Sequence, residues 1–152
     1  PLGRRPVGNA GRPIRPKPDG TREVILVDTS IWIEVFRRGR PLDLEAIAPL
    51  DEVATCLPVI QEVLQGFRDE GAYRRARDAM FSLTLLENPL TAPLVEEAVG
   101  LYRAGRSRGL TVRSSVDCLI AAIALRHDVE ILHRDRDFIA LARVSALRQR
   151  GP

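Results

Sequence analysis

Glu23-Val24-Ile25-Leu26-Val27-Asp28-Thr29-Ser30 is the stretch on which the fold turns. An unbroken apolar run carries no period-two alternation, so both faces of the strand are expected to be covered, as in the parallel sheets of α/β proteins. The run stops at an acid followed by two hydroxyl residues, and Ile31–Phe36 takes up helical spacing. A buried strand, an acid at its carboxyl end and a helix directly behind it form the opening of a strand–helix unit.

The same alternation continues downstream. Val53–Leu57 reads as a second strand, and Pro58 opens a helix with an apolar stripe at Val59, Val63, Leu64 and Phe67. A short helix is expected over Leu42–Ala48, an arginine-rich helix over Asp69–Met80 and a third strand over Phe81–Leu86. Pro93 begins a helix that runs to Arg106, and Gly109 breaks it. Ser114–His127 is the clearest helix, with Val116, Leu119, Ile120, Ile123, Ala124 and His127 at helical spacing. Val129–Leu132 reads as a strand, Arg136–Arg143 as a helix, and a short last strand is expected near Leu147. The sum is an α/β, three-layer-like sandwich, with a central mainly parallel sheet of four to five strands flanked by helices.

The 152-residue chain suits one domain, placed at 23–150, behind a flexible segment at 1–22. That segment is rich in Pro, Gly and Arg, and carries Arg4, Arg5, Arg12, Arg15, Lys17 and Arg22 against Asp19 alone. The net charge of +3 is therefore a property of the segment; acids slightly outnumber bases in the remainder, where every cation is arginine. Cys56 and Cys118 sit in apolar runs and read as reduced core residues, which points to the cytoplasm. The first apolar run contains Asp28 and Glu34 and is too short and too charged to span a bilayer.

In open α/β sheets, sites form beyond the carboxyl ends of the strands. Asp28 follows the first strand, Glu62 lies early in the helix after the second, and Asp117 opens the helix after Val112. Asp135 stands between Val129–Leu132 and the last helix, with Asp137 two residues on. Singly, each acid has an ordinary structural use: Asp28 and Asp135 as helix caps, Asp117 in a capping box with Ser114, Glu62 as a solvated helix residue. Together, they are predicted by the fold class to converge on one edge, with no Lys or His placed to neutralise them. Two carboxylates at about 4 Å repel by roughly 4 kcal/mol at an effective dielectric near 20. Oxygen ligands without Cys or His select a hard cation, Mg²⁺ or Mn²⁺. His133 reads as a partly exposed strand-end residue, and His127 as part of the apolar helix face.

Four strings carry a family likeness. Ile25-Leu26-Val27-Asp28-Thr29-Ser30-Ile31-Trp32-Ile33 resembles the opening motif of PIN domains, and Pro58-Val59-Ile60-Gln61-Glu62-Val63-Leu64-Gln65-Gly66 their second acidic motif. Val116-Asp117-Cys118-Leu119-Ile120-Ala121-Ala122 resembles the third, and Leu132-His133-Arg134-Asp135-Arg136-Asp137-Phe138 the fourth, with His133 standing where a Thr or Ser is common. The ordered set is most similar to VapC-type toxins of toxin–antitoxin pairs. The resemblance implies a Mg²⁺- or Mn²⁺-dependent endoribonuclease, with Asp28, Glu62, Asp117 and Asp135 as metal-binding and catalytic acids, and Asp28 and Asp117 as principal ligands. It implies Ser30 and Asp137 in supporting roles, RNA as substrate, a cognate VapB-like antitoxin and a homodimer. Arg106, Arg108 and Arg113, flanking an expected strand ahead of Asp117, are candidates for contacts with RNA phosphates. Trp32, Val35, Phe36, Leu64 and Phe67 could line an apolar groove for a partner helix. Two rival readings are a PIN fold that binds RNA or protein without cutting, and a phosphoryl-transfer domain with Asp28 as nucleophile. The second wants a further acid where Ser30 stands, or a late lysine that the chain lacks.

Overall fold

The computed structural model describes residues 23–152; the basic segment 1–22 lies outside them. Five strands form one parallel sheet in the order β3-β2-β1-β4-β5. They are β1 (Ile25–Val27), β2 (Val53–Cys56), β3 (Thr84–Leu86), β4 (Glu130–Leu132) and β5 (Gln149–Arg150). Six helices connect them: α1 (Thr29–Val35), α2 (Leu57–Gln65), α3 (Glu70–Ser82), α4 (Ala92–Ser107), α5 (Ser115–Arg126) and α6 (Arg136–Ala142).

The apolar runs behave as their composition demands. Every residue of β1 and β2 is buried, because helices cover both faces of a parallel sheet. Helices α1, α2 and α3 pack in sequence with one another, and α4, α5 and α6 form a second group. Right-handed crossovers account for the division. The chain steps from β1 to β2 to β3 toward one edge, returns to β4, and steps to β5 at the other edge. The progression diverges at the β1–β4 pair, so the crevice beyond the carboxyl ends of these two strands is the topological switch point. Asp28 extends the β1–β4 ladder by one rung, donating its N–H to the Leu132 carbonyl at 3.0 Å.

Helix ends follow local chemistry. Asp28, Asp69, Ser114 and Asp135 each cap a helix through the side chain. Helix α4 ends before Gly109, whose φ of +69° lies in the left-handed region. A Cβ there would meet nothing within 4 Å, so only the backbone conformation resists substitution. Gly109→Ala should cost about 1 kcal/mol, read as a lower denaturation midpoint without change at the acidic edge.

Four expectations are corrected. Residues 42–48 form a turn, not a helix: the Leu44 carbonyl accepts from Ile47 and Ala48. With Pro41 before it and Pro49 after it, the segment closes one turn around the buried Leu44 and Ala48. Phe81 and Ser82 complete α3, and β3 starts only at Thr84. Residues 110–114 pair with no strand and run as a connection into α5. The last strand lies at Gln149–Arg150, beyond Leu147, which is buried.

Candidate active site

The carboxyl edge of the sheet collects the acids. Ligand oxygens of Asp117, Asp135 and Asp137 all lie within 4.8 Å of one another. Asp28, Asp117 and Asp137 are buried, which is unusual for carboxylates. Asp28 adjoins this group: its charge is among the causes that raise the Asp117 pKa, next in size after burial.

Each acid is held differently. Asp28 Oδ2 accepts from the Ser30 amide at 2.9 Å and from its hydroxyl at 2.5 Å. Burial nevertheless raises the Asp28 pKa, with the Ser30 bonds opposing that rise. Ser30 Oγ also accepts from the Arg134 amide at 2.9 Å, tying the start of α1 to the loop after β4.

Asp117 sits in the first turn of α5, where the Ser114 hydroxyl accepts its amide at 3.1 Å. The return bond of a capping box does not form. The Ser114 amide donates instead to Asp137 Oδ2 at 2.9 Å. Asp117 Oδ2 is left buried with no hydrogen-bond partner among the described residues. Burial, then the charges of Asp28 and Asp135, push the Asp117 pKa up to about 7.

Glu62 stands apart from the close trio. It is half-buried in α2, and its Oε2 accepts from the Thr29 hydroxyl at 2.7 Å. Burial pushes the Cys56 thiol at the end of β2 up to about 12, and the charges of Asp28 and Glu62 add to the rise. Nothing in the sequence pattern singled out Thr29 as the residue that fixes Glu62; its adjacency to Asp28 was the available signal.

The loop after β4 is organised by His133 and Asp137. His133 is buried rather than partly exposed. Its Nδ1 accepts from the Asp135 amide at 3.0 Å, so Nε2–H donates to Gln149 Oε1 at 2.6 Å. Gln149 belongs to β5, a strand that the sequence placed two residues early, which is why this partner was missed. His127 is not on the buried face: it is the C-cap of α5 and pairs with Glu87 at 2.8 Å.

Asp137 has both oxygens engaged. Oδ2 accepts from the amides of Arg113 and Ser114 at 2.7 and 2.9 Å, and Oδ1 from Arg113 Nε at 3.1 Å. Arg113 Nη2 reaches Asp135 Oδ1 at 3.1 Å. The acids therefore do have a cation among them, an arginine and not a lysine or histidine. Of the other arginines singled out, Arg108 donates to the Arg143 carbonyl at 2.8 Å, joining the end of α4 to that of α6. Arg106 is exposed in the last turn of α4.

A divalent cation fits this donor set. The ligands are carboxylate oxygens, one of them buried without a partner, and their mutual repulsion is what a hard ion relieves. The PIN domain model matches residues 25–144, the span that contains all of these acids. The chain belongs to the PIN-domain family. This PIN domain is 40% identical over 136 residues to Ribonuclease VapC11 of Mycobacterium tuberculosis, covering 82% of the chain and 96% of the relative. Among solved structures it is similar to a toxin–antitoxin complex from Klebsiella pneumoniae, with 27% identity, a TM-score of 0.58, and coverage of 75% and 89% of the two chains. VapBC2 from Rickettsia felis, solved on a DNA fragment from its promoter, shares the fold at 15% identity, with a TM-score of 0.68 over 85% of this chain and 98% of that one.

A groove of about 900 Å³ opens between α1, α2 and α3, lined among others by Trp32, Phe36, Val63, Phe67 and Ala72. Val35 and Leu64 are not among its lining residues; they pack against the core. Among the described residues, no helix is long and apolar enough to cross a membrane.

Proposed function

We propose that this PIN domain is a divalent-metal-dependent endoribonuclease and the toxin of a VapBC-like pair. The observation that carries the reading is Asp117 Oδ2, a buried carboxylate oxygen without a protein partner beside two further acids. The likeness to Ribonuclease VapC11 supports RNA as the substrate class.

Asp28, Asp117 and Asp135 would hold Mg²⁺ or Mn²⁺. Such an ion, when bound, polarises a phosphate oxygen and acidifies a coordinated water. Ser30 keeps Asp28 oriented through two hydrogen bonds. Asp137 holds the amides that precede α5, and so places Asp117. Glu62 is the acid best suited to accept a proton from the attacking water: Thr29 fixes one of its oxygens, and it stands outside the close trio. In-line attack leaves a 5′-phosphate and a 3′-hydroxyl. Arg106, exposed in the last turn of α4, is available to RNA phosphates.

A VapB-like antitoxin would lay an apolar segment into the groove beside Trp32, Phe36 and Phe67. The family likeness supports a homodimer acting in the cytoplasm. The deciding experiment incubates the purified protein with end-labelled single-stranded RNA and Mn²⁺ or Mg²⁺. Internal cleavage with 5′-phosphate products, abolished by EDTA and restored by excess Mn²⁺, is expected. RNA binding without any cleavage would instead establish the non-catalytic reading.

A further inference from the structure

Arg113 occupies a position that the proposed chemistry does not require. Its guanidinium forks across two carboxylates, Nε on Asp137 Oδ1 and Nη2 on Asp135 Oδ1, both at 3.1 Å. The two halves of the fork differ in surroundings. Asp137 is buried and its other oxygen is held by two backbone amides, so it is a fixed anchor. The Asp135 side chain is 38% exposed, so this half of the fork is the labile one. Asp135 and Asp117 belong to the same close group of carboxylate oxygens. A cation drawn to that group meets Arg113 already in place.

We propose that Arg113 is a tethered internal counter-ion, which competes with the divalent cation for Asp135 and sets the affinity of the site. This inference rests on the acidic group being a metal site, as proposed above, and not on the substrate being RNA. With the site empty of metal, Arg113 neutralises part of the repulsion among Asp117, Asp135 and Asp137. When a divalent cation takes Asp135, Nη2 lets go while Nε stays on Asp137. The guanidinium is then held at the rim of the cluster with its outer donors unspent. Planar, permanently charged and pre-positioned, it is suited to a phosphate oxygen. One arginine thus serves as counter-ion before metal loading and as an anion contact after it.

The test is Mn²⁺ binding by isothermal titration calorimetry, in the absence of RNA. Arg113→Gln removes the competitor, so Mn²⁺ should bind about two- to fivefold more tightly, the scale of a partly exposed ion pair. The metal-free variant should melt below wild type, which widens the stabilisation that Mn²⁺ produces. Arg134→Gln is the control for a general field effect. Arg134 precedes Asp135 directly, but its side chain pairs with Glu34 at 3.6 Å. Its removal should leave Mn²⁺ affinity close to wild type.

Unchanged or weaker binding in Arg113→Gln overturns the proposal, and so does equal tightening in Arg134→Gln. Should Arg113→Gln not fold, Arg113→Met carries the test, because it keeps the length of the side chain and removes the charge. Its affinity should exceed that of wild type, and wild-type affinity would sink the idea. If wild type binds no Mn²⁺ at all, it is the metal-site reading that fails, a result distinct from either of these.

Discussion

Asp117→Asn should abolish RNA cleavage and, at the same time, make the metal-free protein more stable at pH 8. The two effects have one cause. Asp117 is buried, with an unpartnered oxygen, and its pKa is pushed up to about 7 by burial and by neighbouring acids. A raised carboxyl pKa contributes stability that is present below the unfolded value near 3.8 and is lost as pH rises through about 7. The metal-free wild type should therefore lose stability between about pH 4 and pH 7, and the asparagine variant should lose less over the same window.

Above that window the substitution should gain about 1–3 kcal/mol, discounted from the full shift because water reaches part of the cluster. Thermal melts in EDTA at pH 8 would register this as a rise of several degrees. In Mn²⁺ the order should reverse, because the ion stabilises only the protein that can hold it. Cleavage should fall by more than about a hundredfold, beyond the usual loss when a residue merely supporting a metal ligand is changed. Wild-type cleavage by Asp117→Asn would remove this residue from the mechanism. An unaltered melting curve would mean that the carboxylate is less strained than its burial implies.

The legibility of this site in the sequence has a physical pattern. Parallel strands buried on both faces write themselves as apolar runs, so β1, β2 and β4 and the acids at their ends could be read directly. Helix caps could be read too, since Ser114 and Asp135 fulfil the local rule. What escaped was whatever depended on distant residues. The capping box at Ser114 was a sound local expectation that lost to a partner more than twenty residues away, because Asp137 takes the Ser114 amide. His133 looked exposed at a strand end because its cover, Gln149 and Phe138, comes from β5 and α6. Arg113 looked like a free phosphate contact because no local pattern shows that two carboxylates fold over it. Glu62 was visible as an acid early in the helix after β2, yet its fixing by Thr29 bridges α1 and α2.

Phe138→Ala tests whether the core and the acidic edge are one structure. Phe138 is fully buried in α6, directly after Asp137, and its ring lies 4.9 Å from that of His133. It therefore backs His133 directly and follows Asp137 in the same helix, and both residues organise the acids. Asp137 holds the amides leading into Asp117, and His133 holds the amide of Asp135. Truncation should cost about 3–5 kcal/mol through lost burial and the cavity left behind. Leu141, also fully buried and one turn further along α6, provides the comparison. Leu141→Ala should cost about 2–5 kcal/mol by the same mechanism, but it stands further along the chain from His133 and Asp137 than Phe138 does. At a temperature where both variants are folded, Phe138→Ala should bind Mn²⁺ more weakly than wild type, and Leu141→Ala should not. Equal affinity in the two variants would mean that the hydrogen bonds alone keep the acids in place, whatever the core beneath them does.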